Sequence, residues 1–187
     1  MRDNPNNVRA FGPDAERRCL ALTRFFAPVL RGARRRGSVL GAFRNDSLVG
    51  VSVAAPPGRC QPKLVEKLSV FPTVFFGNTI GVPLRVLKWI GEWSSRDPTE
   101  AHWHLGPVAV DAHLQGHGIG STLMTDFCAR MDRASSLSYL ETDKAENVRF
   151  YERFGFALIG ESEVLGAPNW FMSRRARPRT FSRSGEL

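Results

Sequence analysis

Cysteine is sparse in this chain, with three in 187 residues. Cys19, Cys60 and Cys128 lie far apart, form no C-x-x-C pair, and share no metal-ligand spacing with the four histidines. That argues against a disulfide-stapled fold and against a linear zinc motif. The thiols are expected to be reduced, the compartment cytoplasmic, and no metal is expected. No stretch reaches the ~20 apolar residues of a membrane-spanning helix, so no membrane partner is expected either. Met1-Arg2-Asp3-Asn4-Pro5-Asn6-Asn7 is polar and lacks the apolar core of a signal peptide. There is no internal repeat, and no linker that would support a second domain.

What is present suits one globular domain with a sizeable core, at 42% apolar and 24% charged residues. Basic residues outnumber acidic ones, 26 to 18, for a net charge of +8. Arg31, Arg34, Arg35 and Arg36 form one cluster, and Arg174, Arg175, Arg177, Arg179 and Arg183 form another in the tail. A nucleic-acid partner would use such clusters. Yet the tail carries one interleaved aromatic, Phe181, and no recognisable binding module accompanies it. No specific nucleic-acid partner is expected.

Residues 1–13 read as irregular. Asp14 can cap a helix whose apolar face is Cys19, Leu22, Phe25, Phe26, Val29 and Leu30. Pro28 should kink or divide that segment, giving two short helices, and Gly37 should end it. Residues 39–43 and 48–54 read as a hairpin around a four-residue loop, Arg44-Asn45-Asp46-Ser47. Residues 63–70 read as helical, and 71–77 as apolar and broken. Leu84, Leu87, Trp89, Ile90 and Trp93 suggest a helix over 82–95. The aromatics of residues 59–100 suit a core, or alternatively the wall of a ligand pocket. Strands are expected at 102–111 and 137–143, with two more at 156–160 and 169–174. These elements make a mixed α/β sandwich, largely antiparallel around one central parallel pair.

Between the strand at 102–111 and an amphipathic helix runs Gln115-Gly116-His117-Gly118-Ile119-Gly120-Ser121. The glycines strip side chains from a turn that ends at a helix N-terminus, where unpaired N–H groups and the helix dipole face an incoming phosphate. A nucleotide P-loop is disfavoured because no lysine precedes Ser121-Thr122. A dinucleotide fingerprint needs its third glycine one residue later, although Glu141 stands about where the ribose-binding acid would. A glycine-rich turn that binds nothing is the remaining alternative.

A second motif follows about thirty residues on: Asn147-Val148-Arg149-Phe150-Tyr151-Glu152-Arg153-Phe154-Gly155-Phe156. With both motifs in this order, residues 102–175 resemble the GCN5-related N-acetyltransferase (GNAT) superfamily. The resemblance implies a GNAT-like fold whose twisted sheet is flanked by helices and whose central parallel strands splay apart. It implies acetyl-CoA as co-substrate, with pyrophosphate at Gln115, Gly116, His117, Gly118, Ile119, Gly120 and Ser121. Pantetheine would pair with the strand at Val108, Ala109 and Val110 and meet Asn147, Phe150 and Tyr151. The domain would span residues 14–176, with 102–175 as coenzyme-binding core, 59–100 as acceptor region and 177–187 as basic tail. The family usually carries Arg or Lys where His117 stands, so backbone amides would carry more of the phosphate here.

Acyl transfer to an amine needs a neutral amine, a held oxyanion and a proton for the leaving thiolate. The resemblance sets Tyr151 beside the thioester sulfur, and a phenol can donate to a developing thiolate. Many relatives place a glutamate where this chain has Pro107, which accepts no proton. His102, His104 and Glu141 remain, with His104 and Glu141 the nominated catalytic pair. A bulge near Gly106-Pro107 would reset which face His104 occupies. Cys128 reads as core. The expected activity is N-acetylation of a small-molecule amine by a monomer or homodimer. The alternatives are a nicotinamide-binding oxidoreductase, or a non-catalytic acyl-CoA-sensing or nucleic-acid-binding module.

Overall fold

Pro5 occupies the first turn of helix α1 (Pro5–Phe11), inside the segment read as irregular. Proline suits that position because the N–H it lacks would have no helical partner. Seven residues cannot hold a helix unaided, and tertiary contacts supply what periodicity does not announce. The Asn6 side chain donates to Asn169 Oδ1 at 2.6 Å and its backbone N–H to Asp143 at 2.8 Å, while Ala10 and Phe11 are buried. The computed structural model describes residues 1–60 and 81–178. The readings made for 63–70 and 71–77, and for Arg179 and Arg183, lie outside the described residues.

Asp14 caps α2 (Ala15–Arg36), accepting from the Glu16 and Arg17 amides at 3.0 Å each. Pro28 lies inside this helix and does not divide it. The ring forgoes one backbone bond, but Ala21, Leu22, Phe25 and Phe26 pack on one side into a core that holds the helix continuous. Gly37 ends it, its N–H donating to Ala33 at 2.7 Å. At φ −113° it is not left-handed; glycine is required because a Cβ would collide with the Ala54 carbonyl.

Strands β1 (Ser38–Arg44) and β2 (Ser47–Ala55) form the hairpin. Its turn is two residues rather than four, Asn45 and Asp46, at φ +47° and +61°, as a type I′ turn requires. There follow α3 (Gly81–Ser94), β3 (His102–Val110), a 3₁₀ turn, α4 (Ile119–Arg133), β4 (Leu137–Thr142), α5 (Ala145–Glu152), β5 (Ala157–Val164) and β6 (Ala167–Arg174). The six strands lie in the order β1-β2-β3-β4-β6-β5. All neighbours are antiparallel except β3 and β4.

That parallel pair is short. It joins His102 to Leu137, Trp103 to Ser138 and His104 to Tyr139, and ends there. Beyond it β3 stays with β2 as far as Val110, and β4 stays with β6 as far as Thr142. The sheet therefore opens in its middle. The β2–β3 register slips between Ser52, which faces Val108, and Ala54, which faces Leu105. This bulge turns Leu105 and Val108 to the same core and leaves His104 against Tyr139, at 5.3 Å between ring centroids.

Two cores flank the sheet. Met124, Phe127, Cys128 and Met131 of α4 pack on Leu105, Leu140 and Tyr151. On the other side α1, α2 and α3 bury Ala10, Leu22, Val82, Val86 and Trp89 together. Arg174, grouped by sequence with a basic tail, is instead internal. It makes two hydrogen bonds to Asp132 at 2.7 and 2.8 Å, and its side chain is 3% exposed.

Candidate active site

The parting of β3 from β4 opens a groove of about 450 Å³ beside the glycine loop. One wall is residues 108–110 of β3, and the opposite wall is Asn147, Phe150 and Tyr151 of α5. Its end is closed by Gln115, Gly116, Gly118, Ile119, Gly120 and Ser121. Gly116 and Gly118 adopt φ +80° and +83°, with open space where a Cβ would stand. Gly118 caps α4, whose first helical bond runs from Thr122 N–H to the Gly118 carbonyl at 3.0 Å. The amides of residues 119–121 thus have no acceptor within the helix. Gln115 braces the loop entry by donating to the Val110 carbonyl at 3.2 Å.

His117, grouped with the loop, does not line the groove. Its Nδ1 sits 2.9 Å from the Gln115 carbonyl and its side chain is exposed. Lys144 and Arg153 supply the positive charge instead. Both line the groove, and neither was singled out from the sequence. Their flanking positions around Asn147 and Tyr151 were the available signal. Leu114 and Asn4 join them, the latter through the α1 segment. Asn147 donates to Thr142 Oγ1 at 3.0 Å, which fixes its amide and leaves Oδ1 and one N–H for a ligand.

Tyr151 is 8% exposed. Burial, helped by the nearby Asp143 carboxylate, pushes its phenol up to about 12. It therefore holds its proton through the neutral range.

At the fork of the strands stands a second polar group. His104 Nε2 lies 2.8 Å from Glu141 Oε2, and His104 Nδ1 lies 3.6 Å from Asp97 Oδ1. Burial works against a charged ring, but the charge and hydrogen bond of Glu141 and the charge of Asp97 outweigh it. The ring is held above the usual histidine range. The Glu141 side chain is 2% exposed and that of His104 20%, so a ligand can reach the imidazole more readily than the carboxylate. Asp97 was missed in the sequence, having no motif around it. Among the neighbouring acidic residues, Glu92 pairs with Arg96, Glu100 with Arg175 and Glu141 with His104.

The model of the acetyltransferase (GNAT) family matches residues 9–156. The chain belongs to the GNAT family. It is an acyltransferase, of a family that uses acetyl-CoA as co-substrate. A solved structure described as histone acetyltransferase HPA2 and related acetyltransferase from Corynebacterium glutamicum matches at TM-score 0.65 and 22% identity, covering 95% of this chain and 86% of that one. The N-acetyltransferase of Staphylococcus aureus Mu50 matches at 0.54 and 13%, covering 94% and 86%. The Drosophila melanogaster polyamine N-acetyltransferase, described as forming N-acetylagmatine, matches at 0.53 and 17%, covering 90% and 86%. At these identities the likeness is one of fold. The GNAT fold accounts for the short parallel pair, and the glycine loop and α5 are set on the opening side of it.

Proposed function

We propose that this GNAT protein transfers the acetyl group of acetyl-CoA directly to the amine of a small molecule. The observation that carries the reading is the end of β3–β4 pairing at His104, because it frees the β4-facing edge of residues 108–110 along the groove wall. Pantetheine lies along that edge and hydrogen-bonds to it as a strand would, with Asn147 on its amides. The pyrophosphate meets the amides of the Gly116–Ser121 loop, with Lys144 and Arg153 close enough to offset its charge.

The acceptor approaches from the side of His104. With Nε2–H donated to Glu141, the neutral ring carries its lone pair on Nδ1, a buried atom that the ring uncovers by a small rotation to take the ammonium proton. The resulting imidazolium lies between two carboxylates, Glu141 and Asp97. The freed amine attacks the thioester carbon, and Tyr151 gives its proton to the departing thiolate. The two carboxylates favour a cationic amine, and the net charge of +8 disfavours lysine-rich peptides.

A dinucleotide reading fares worse: Glu141, the acid it would place on the ribose, is bound to His104 and turned inward. Helix α1 packs against the rest of the chain through Asn6, which is tied to Asn169 and Asp143. Among the described residues no helix is long and apolar enough to cross a membrane. The test is a screen of thioester consumption with acetyl-CoA against amino acids, polyamines, aminoglycosides, aryl amines and short peptides. Acetylation of a small amine is expected. Robust acetylation of a polycationic peptide, with no small amine accepted, would overturn the acceptor class.

A further inference from the structure

We propose that Cys60, His102, His104 and Asp97 form a binding site for a zinc ion at the fork of the central strands. The chain gives no linear motif for it. Cys60 follows β2, the histidines stand two apart on β3, and Asp97 lies in the connection from α3. Folding brings them together: the Cys60 thiol donates to the His102 carbonyl at 3.5 Å. Donor atoms of Cys60, His102 and His104 lie within 4.8 Å of one another. Asp97 Oδ1 is 3.6 Å from His104 Nδ1. Tetrahedral zinc, with sulfur at about 2.3 Å and nitrogen at about 2.0–2.1 Å, needs donors roughly 3.3–3.6 Å apart. Side-chain shifts on the order of 1 Å would bring the Cys60, His102 and His104 donors to those separations. Asp97, close to His104 but farther from the other two, reaches the fourth position by a larger swing of its side chain.

The hydrogen bonds set both rings for metal. His102 Nδ1 is 2.8 Å from the Glu100 carbonyl, which can only accept, so the hydrogen is on Nδ1 and the lone pair on Nε2. That Nε2 is buried without a hydrogen-bond partner among the described residues, on a residue 6% exposed. His104 donates from Nε2 to Glu141, which leaves the lone pair on Nδ1, also buried without a hydrogen bond among the described residues. A ligating histidine usually anchors its other nitrogen on a carbonyl or carboxylate, and here one ring has each. One thiolate, two imidazoles and one carboxylate suit zinc rather than magnesium or calcium. The thiolate and carboxylate charges also neutralise the ion. Zinc on His104 Nδ1 occupies the lone pair that the proposed acyl transfer uses, so the zinc-loaded chain is the inactive form and the metal-free chain the catalyst.

The test uses the full chain, stripped of metal with a chelator under reducing conditions and titrated with zinc by calorimetry. Metal content is then measured after gel filtration. One zinc per chain at sub-micromolar affinity is expected, and cobalt in its place should show a thiolate charge-transfer band that Cys60→Ser abolishes. Cys60→Ser and His102→Gln should each weaken zinc binding at least about 100-fold, the upper end of the cost of losing even an outer-shell partner. Acetyl-CoA affinity should be unchanged in both, because neither residue lines the groove. Should one variant fail to fold, Asp97→Asn replaces it. A folded parent chain that takes up no zinc from micromolar solution, or a folded Cys60→Ser that binds it as tightly as the parent, overturns the proposal.

Discussion

His104 and Glu141 are joined at 2.8 Å across two parallel strands at the last place where those strands pair. The contact sits at the fork where, in the proposed reaction, acceptor and thioester meet. It fixes the ring's tautomer and raises its basicity together.

The first prediction concerns pH. Only the neutral ring can take a proton, and Glu141 and Asp97 hold its pKa above the ordinary value. The acid limb of kcat/KM for the amine should therefore lie above about 6.5. Glu141→Gln removes one of the two charges and should move that limb to lower pH, while His104→Gln should cut turnover. A limb that stays in place in Glu141→Gln would remove His104 from the proton path.

The same shift has a stability consequence with a definite sign. A histidine whose folded pKa is raised stabilises the fold fully below its unfolded value, and loses that contribution as pH rises through the folded one. Denaturant titrations should show parent stability falling from mildly acidic to mildly alkaline pH, and His104→Gln should flatten that dependence. A slope unchanged by the substitution would assign it to another group.

Tyr151→Phe should lower turnover about 100-fold or more and leave acetyl-CoA affinity nearly unchanged, because the hydroxyl acts as the thiolate leaves. Since Tyr151 is pushed up to about 12 by burial, it should cause no loss of rate in the neutral range. Equal turnover in the mutant, with chemistry rate-limiting, would reduce Tyr151 to packing.

Arg174→Met should destabilise the fold by about 3 kcal/mol, as breaking a buried ion pair does. The Asp132 carboxylate, which also accepts from Arg177 N–H, would lose two hydrogen bonds and the Phe154 carbonyl a third. Urea denaturation measures it, and a loss under ~1 kcal/mol would mean that the pair contributes as little as a surface bridge.

The glycine loop and α5 that line the groove were legible in sequence because their signal is local. Three glycines before an amphipathic helix mark the loop, and the run from Asn147 to Phe156 marks α5 through its family resemblance. The joining of His104, Glu141 and Asp97 was not legible, although the first two were each nominated, because the three meet only through the fold and carry no spacing rule. The bulge between Ser52 and Ala54 compounds this by overriding strand parity. Helix α1 escaped for a related reason, as its polar residues are held by Asp143 and Asn169 far along the chain. Pro28 misled because the packing of Ala21, Leu22, Phe25 and Phe26 ahead of it outweighed one lost bond.

The most direct measurement is calorimetric titration of acetyl-CoA into the parent chain and into Gly120→Glu. Gly120 is the better probe of the loop, because Gly118 at φ +83° would strain any side chain. A Cβ at Gly120 would meet Phe150 at an ordinary 3.5 Å. Saturable acetyl-CoA binding by the parent, lost in a folded Gly120→Glu, is the expected result. Unchanged affinity in the folded variant, or tight NADH binding with no response to acetyl-CoA, would contradict the account.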